Sequence, residues 1–284
     1  MLAHSKWDAL LVVVCGLQLA LTGYAVWAYP LLPWPSLVGL GALIVFLTCT
    51  NYQCTTHYQI HTPFFRAKLL NRLFSLVSSL AIGMPTTLYR FHHLNHHRFN
   101  NDVLDPETGT TQDASSTYRH GRNGRAEGIL TYALLSIFRT DLVDLFRQAR
   151  KKQLGGWVAA EALLLLAAVA AIALYDWRAA VTFCLPVWIL GQAGAFAENY
   201  LEHHGAIPGD RRTDSVSSYG WLYNKIWFNN GYHQEHHYKP QVHWTELRAV
   251  RSELPPEEER IVAPIAHWFH LRGALFGLPP GDSV

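Results

Sequence analysis

The sequence predicts an all-α, polytopic membrane protein built from two transmembrane hairpins, four spans in all, with interfacial helices and a histidine-rich cytoplasmic cap. Three observations lead there. Half of the 284 residues are hydrophobic while only 15% are charged, a low charge content for a soluble chain. Four long apolar runs come in two pairs, each pair joined by a short turn. Most of the sixteen histidines gather in clusters at helical spacing outside those runs.

The first run, residues 9–29, contains Gln18 and no charge. At about 1.5 Å per residue it is long enough to cross a hydrocarbon core of about 30 Å. A signal peptide is the competing reading, but no small-residue cleavage site follows and a second apolar run begins almost at once. The uncharged turn Pro30-Leu31-Leu32-Pro33-Trp34-Pro35 then reverses the chain into a span over residues 36–53. A helix continued from residue 36 to residue 61 would be about 37 Å long. His57 and His61 would then stand just outside the lipid, on the side of the N-terminus.

Residues 73–88 are apolar but short, and Gly83 and Pro85 interrupt them. A full crossing there would put histidine clusters on opposite faces of the membrane, so this stretch reads as a re-entrant or interfacial helix. Residues 128–146 read as an interfacial amphipathic helix, because lipid disfavours Arg139, Asp141 and Asp144. Residues 103–127, rich in Gly, Ser, Thr and Arg, read as a cytoplasmic loop. The second hairpin pairs residues 156–175 with 179–198 through the turn Asp176-Trp177-Arg178. Arg66, Lys68, Arg72, Arg90, Arg147, Arg150, Lys151 and Lys152 all fall on the histidine side, which the positive-inside rule makes cytoplasmic. Both termini are expected there too. Trp27, Trp34, Trp157 and Trp177 sit at span ends, where amphipathic rings prefer to lie. After residue 197 the chain is polar, and the closing Pro279-Pro280-Gly281 reads as a solvated tail. The whole of residues 1–284 is expected to form a single domain, with catalytic segments 54–155 and 199–284.

Several function classes are disfavoured. A net charge of +2 without a basic run gives no sign of nucleic-acid binding. Cys15, Cys49, Cys54 and Cys184 lack paired spacing, so neither a disulfide framework nor a cysteine metal site is expected.

The histidines carry the chemistry. His233, His236 and His237 stand at i, i+3 and i+4, positions that share one helix face. His93, His96 and His97 repeat the pattern, with His92 beside them, and His57 and His61 form an i, i+4 pair. Asn199 and His203 place an amide and an imidazole on one face at the end of the last span. Neutral imidazole is the commonest metal ligand. About nine imidazoles exceed what one four-coordinate ion can use, so two metals are implied. Such a set suits iron and O2 chemistry, although the ligand type alone also permits zinc or copper.

These boxes, His57-xxx-His61, His93-xx-His96-His97 and His233-xx-His236-His237 on a two-hairpin scaffold, resemble the membrane fatty acid desaturase/hydroxylase superfamily. The likeness spans most of the chain. Tyr232-His233-Gln234-Glu235-His236-His237 is similar to the third desaturase box, and Asn199-Tyr200-Leu201-Glu202-His203 to a motif of the membrane alkane monooxygenases. The resemblance implies a non-haem di-iron centre, with two iron ions activating O2 to desaturate or hydroxylate a fatty acyl or other lipid chain. It implies ligands His57, His61, His93, His96, His97, His203, His233, His236 and His237, with Asn199 reaching one iron through water. The alkane monooxygenase spacing recruits His92 in place of His93, whereas helical geometry favours His93. Glu202, Glu235, Asp102 and Asp105 are expected to accept from ligand rings, with solvated surface roles an equal reading for the last two. His204 and His243 are expected near the site or on the surface. No His-Pro-Gly-Gly signature of a fused cytochrome b5 and no rubredoxin cysteine pairs are present, so a separate donor of ferredoxin, rubredoxin or cytochrome b5 type is expected.

Terminal hydroxylation, decarboxylation of a free fatty acid and carotenoid oxidation would use the same residues. A metal transporter or sensor is the non-enzyme alternative. It would need ionisable groups lining a path through the spans, and these spans are nearly devoid of them.

Overall fold

The computed structural model describes residues 1–207 and 209–270; the closing stretch read as a tail lies outside them. The chain forms two compact units. The first comprises Met1–Phe91 and Asp141–Ala195; the second comprises His92–Thr140 and the described residues from Phe196 onward.

In the first unit, α1 (Asp8–Ala28) is followed by a turn and by α2 (Trp34–Thr50), which starts behind Pro33 with Pro35 in its first turn. Helical backbone then runs on to His61 through a π segment, Asn51–Thr56, and the short α3 (His57–His61). The sequence foresaw the long helix but not the π segment. A π turn uses more residues than an α turn and shifts the phase of every side chain beyond it. The direction of His57 and His61 therefore depends on backbone that a regular helical period does not describe.

The stretch read as one re-entrant or interfacial helix is two. α4 (Lys68–Ile82) ends at Gly83, whose φ of 69° closes the helix in the left-handed region. A Cβ on Gly83 would stand 2.4 Å from Trp188 Nε1, so both the conformation and the space require glycine. α5 (Thr86–Phe99) follows Pro85 and carries the second histidine cluster. Its start is held by Glu161, which accepts the Thr87 N–H and hydroxyl, both at 2.9 Å, and the Ser75 hydroxyl at 2.9 Å. A carboxylate is favoured at this end of a helix by the unpaired N–H groups there. Glu161, the one acid in its span, thus anchors the helix that delivers the histidines.

Residues 128–146, expected as one helix, also form two: α6 (Ile129–Arg139) and α7 (Leu142–Lys151). Asp141 causes the break by accepting the Asp144 N–H at 2.9 Å and capping α7. α8 (Gly155–Tyr175) buries only Val158 and Glu161. A short α9 (Trp177–Ala179), capped by Asp176, and a π segment lead into α10 (Leu185–His203).

The helices Asp8–Ala28, Trp34–His61, Gly155–Tyr175 and Trp177–His203 are long and apolar enough to cross a bilayer. They expose Val13, Val38, Leu163, Leu166, Val169 and Leu190, a surface suited to lipid. This is an integral membrane protein. Its first unit nevertheless buries a polar knot. The Gln18 amide donates to Thr48 Oγ1 at 2.9 Å and Ala81 O at 2.6 Å, while Asn51 donates to Gln18 Oε1 at 2.6 Å. One side chain thereby ties α1 to α2, to the π segment and to α4.

The second unit holds the end of α5, α6, residues 196–203 of α10, and the short helices α11 (Trp221–Ile226), α12 (His233–Tyr238) and α13 (Leu247–Val250). Two short parallel strands, β1 (Ser217–Ser218) and β2 (Val262–Ala263), join its later part. Ile129 and Tyr132 of α6 pack on Tyr200 and Leu201 of α10.

Gln18→Leu removes the hub of the polar knot and leaves the Asn51 amide and the Ala81 carbonyl short of a partner. We expect a loss of about 1 kcal/mol, read as a lower Tm of the detergent-solubilised protein. An unchanged Tm would contradict the role given to Gln18.

Candidate metal centre

The second unit brings most of the histidines together. His93, His96 and His97 project from α5, His203 from the end of α10, and His233, His236 and His237 from α12; all seven are buried. Ligand nitrogens of His93, His97 and His236 lie within 4.8 Å of one another, and so do those of His96, His203 and His237. These are two adjoining nitrogen sets. His97 and His237 stack with ring centroids 4.2 Å apart.

The residues between the histidines explain why the rings face inward. On α12, Gln234 accepts from Arg260 at 2.8 Å and donates to Ser215 O at 2.9 Å. Glu235 accepts the hydroxyls of Ser217 at 2.7 Å and Tyr219 at 2.6 Å. The polar residues thus fasten one face of α12, and the three imidazoles occupy the other. Gly231 permits the tight approach before this helix, because a Cβ there would meet Ser218 O at 2.2 Å.

On α5, Asn95 accepts the Ala114 N–H at 2.9 Å and donates to Gln112 O at 3.1 Å. Asp102 accepts the N–H groups of Gln112 at 2.7 Å and Asp113 at 2.9 Å. The loop expected only as a solvated connection is therefore ordered beside the histidines, and it places Asp113 Oδ2 2.8 Å from His96 Nδ1. Asp113 also accepts from the Asn101 N–H at 2.8 Å and from the Ser115 hydroxyl at 2.7 Å. Burial works to raise its pKa, but the His96 ring and these donors hold it well below the usual carboxylate range.

An ionised Asp113 accepts the His96 Nδ1–H, which leaves His96 Nε2 as a bare lone pair in the neutral ring. His203 Nδ1 lies 3.4 Å from Asp214 O, a carbonyl that can only accept, so its Nε2 is likewise the acceptor side of the ring. Yet His96 Nε2 and His203 Nε2 stand 3.0 Å apart, and His233 Nε2 is 3.1 Å from His203 Nε2. His236 Nε2 and His97 Nε2 are separated by 3.2 Å. His237 Nε2 is buried without a hydrogen bond. The His96 and His203 lone pairs facing one another repel, and a cation between them removes the conflict. Two nitrogens held about 2.1 Å from one ion lie no more than about 4.2 Å apart, and these separations fall inside that limit. Burial, followed by the neighbouring imidazoles, holds the His237 pKa well below its ordinary value and keeps the ring neutral, as a ligand must be. The donor set fits a metal.

The other residues singled out in the sequence take varied places. His57 and His61 lie in the first unit, buried, with ring centroids 5.5 Å apart. His92 belongs to neither nitrogen set, whereas its neighbour His93 does; burial pushes the His92 imidazole down to about 4. Asn199 donates to the Tyr132 hydroxyl at 2.8 Å. Glu202 Oε1 lies 3.5 Å from His233 Nδ1, so it faces a ring as expected. The expectation for Glu235 does not hold, because its oxygens serve Ser217 and Tyr219. Asp102 anchors the loop, and Asp105 caps a surface turn through the N–H groups of Glu107 and Thr108. His204 stacks on Tyr200, and His243 pairs with Thr245.

Sequence reasoning missed Asp113, which sits in a polar loop with no fixed spacing to any box. It also missed a buried group behind α10, where His267 Nδ1 is 3.1 Å from Glu198 Oε1 and Tyr223 donates to that same oxygen at 2.6 Å. Asn230 donates to Glu202 Oε1 at 2.6 Å and holds that carboxylate against His233.

Four membrane-long apolar helices together with a buried all-imidazole nitrogen cluster define the class: an integral membrane protein with a histidine-built metal site. The sequence profile of the fatty acid desaturase family matches residues 32–269, and the chain belongs to that family, among the lipid desaturase and hydroxylase oxidoreductases. It is 27% identical over 266 residues to a sphingolipid delta(4)-desaturase of Candida albicans, covering 87% of this chain and 69% of the relative. A sphingolipid delta(4)-desaturase of Komagataella phaffii is 28% identical over 269 residues, covering 88% of this chain and 69% of that one. A DES1-like sphingolipid delta(4)-desaturase of Oryza sativa is 26% identical over 210 residues, with 73% of this chain and 60% of the relative covered. The chain thus matches between 60% and 69% of these relatives' lengths.

Asp113→Asn keeps the shape of the side chain but removes the charge that fixes the His96 tautomer. Metal affinity, measured by chelator competition with elemental analysis, is expected to fall about 10- to 100-fold. Retention equal to the wild type would remove Asp113 from the site.

Proposed function

We propose that this protein is a multi-pass membrane lipid desaturase that holds two iron ions in its histidine cluster and uses O2 on the alkyl chain of a sphingolipid or a related fatty acyl lipid. The observation that carries the reading is the pair of adjoining histidine sets, His93–His97–His236 and His96–His203–His237. Two sets of nitrogen donors call for two ions. The names of the relatives favour a sphingoid chain as substrate.

His93, His96, His97, His203, His233, His236 and His237 would hold the metals. The family pattern adds His57 and His61, with Asn199 acting through water. Iron with O2 and two electrons supplies the oxidising power to break unactivated C–H bonds. Desaturation removes two hydrogens from adjacent carbons, and with two further protons and two electrons O2 leaves as two waters. The chain's own residues prepare for this in three ways. Asp113 fixes the proton of His96 on Nδ1, and Glu202 faces Nδ1 of His233. Gln234 and Glu235 lock α12 so that its imidazoles keep one direction. Burial of all seven rings shields the metal-binding nitrogens from water. The electrons would come from a separate ferredoxin-, rubredoxin- or cytochrome b5-type partner.

The lysine and arginine distribution supports a topology with both termini and the histidine cap in the cytoplasm. Tags at residue 1 and residue 284 should both resist an impermeant reagent in sealed, right-side-out membranes. Labelling of either tag from outside would overturn the two-hairpin topology.

Lipid mass spectrometry of a host expressing the wild type or His236→Ala tests the reaction. The wild type should generate a lipid two mass units lighter, and the variant should generate none while reaching the membrane at a similar level. A gain of sixteen units instead would identify hydroxylation. No wild-type product, or undiminished product from the variant, would refute the proposal.

A further inference from the structure

A second polar site lies wholly within the first unit and shares no residue with the seven-histidine cluster. A cavity of about 220 Å³ is lined by Gln59, Ile60 and Pro63 and by Lys68, Arg72 and Arg90, among others. Among the described residues, none of these three cations has a carboxylate within ion-pairing distance. Glu161, the acid nearest to Arg72 in charge terms, already has both oxygens engaged by Ser75 and Thr87. Burial, and then the like charge of Arg72, lowers the Arg90 pKa. Three positive groups therefore border one opening, with Glu161 the one carboxylate among the described residues shown to act on any of them, through Arg72; an anion would stabilise such an arrangement.

Two further observations narrow the ligand. Gln59 is buried, its amide donates to Asn71 O at 3.2 Å, and its Oε1 makes no hydrogen bond. That oxygen can only accept, so it calls for a ligand carrying an O–H or N–H beside its anionic group. The Arg72 guanidinium lies over the ring of Trp157, 5.9 Å from its centroid. Trp157 stands in the first turn of α8, a membrane-long helix, and tryptophan at a span end marks headgroup depth. A cavity of this size is below the usual range for a whole drug-sized ligand, about 300–1,000 Å³; it suits a headgroup whose tails remain in the bilayer.

We propose that this cavity binds the headgroup of an anionic, hydroxyl-bearing phospholipid such as phosphatidylglycerol, with Lys68, Arg72 and Arg90 on the phosphate and Gln59 Oε1 accepting a headgroup hydroxyl. The site does not depend on the desaturase reading, since none of its residues belongs to the proposed metal ligands.

Native mass spectrometry of the full-length, metal-loaded protein tests it, using phosphatidylglycerol, phosphatidylcholine and free glycerol 3-phosphate as probes. Phosphatidylglycerol should be retained about tenfold better than phosphatidylcholine. R72Q/R90Q should abolish that preference with metal content unchanged. R90Q alone should weaken it and serves if the double variant does not fold. Equal retention of the two lipids, a preference undiminished by R90Q, or binding of glycerol 3-phosphate without any lipid preference would each overturn the proposal.

Discussion

The constraint on which the rest depends is the packing of bare nitrogen lone pairs against one another in a space closed to water. His203 Nε2 has His96 Nε2 at 3.0 Å and His233 Nε2 at 3.1 Å, while carboxylate and carbonyl oxygens claim the ring protons on the far sides of His96 and His203. His96 and His203 so arranged cannot satisfy each other by a hydrogen bond, because the ring proton of each is committed on its far side. A cation turns the same arrangement from repulsive into cohesive. Asp113 therefore acts as part of the centre although it touches no ligand position: it decides which nitrogen of His96 is free to bind.

Much of the polar chemistry away from the histidines serves to keep the helices that bear them in place. Lipid offers no hydrogen bonds, so polar side chains within the spans need partners inside the protein. Gln18 finds them on three other segments. Glu161 finds them at the start of α5, where the helix N-terminus supplies both a donor and a favourable field. Gly83 ends α4 in a conformation that favours glycine and a space closed to a side chain, and α5 can then begin three residues later. An irregular link between two helices thus sets the line along which His93, His96 and His97 are presented.

The spans and the histidine boxes were legible in the sequence because each is a local pattern: an uncharged run of membrane length, or imidazoles one helical turn apart. The breaks were harder to read. Asp141 splits one expected helix by capping the next, and the π segment at Asn51–Thr56 departs from any fixed period. Asp113 was invisible because its place beside His96 depends on a loop folded back through Asn95 and Asp102. Nothing in the loop's composition records that return. Glu235 misled for the opposite reason: a carboxylate between two ligand-type histidines resembles a ring partner, yet on a helix it points to the other face and bonds Ser217 and Tyr219. Periodicity finds what lies on one face of one element, whereas the partners of that face come from distant segments.

Membership in the fatty acid desaturase family gives this geometry its chemical meaning, and the metal occupancy is where the account is most exposed. X-ray absorption at the iron edge, combined with iron quantification on the purified full-length protein, tests it most directly. The account predicts close to two irons per chain, each in a shell of nitrogen and oxygen scatterers dominated by imidazole. Iron bound at one per chain or fewer after full reconstitution, or a shell containing sulfur, would contradict it.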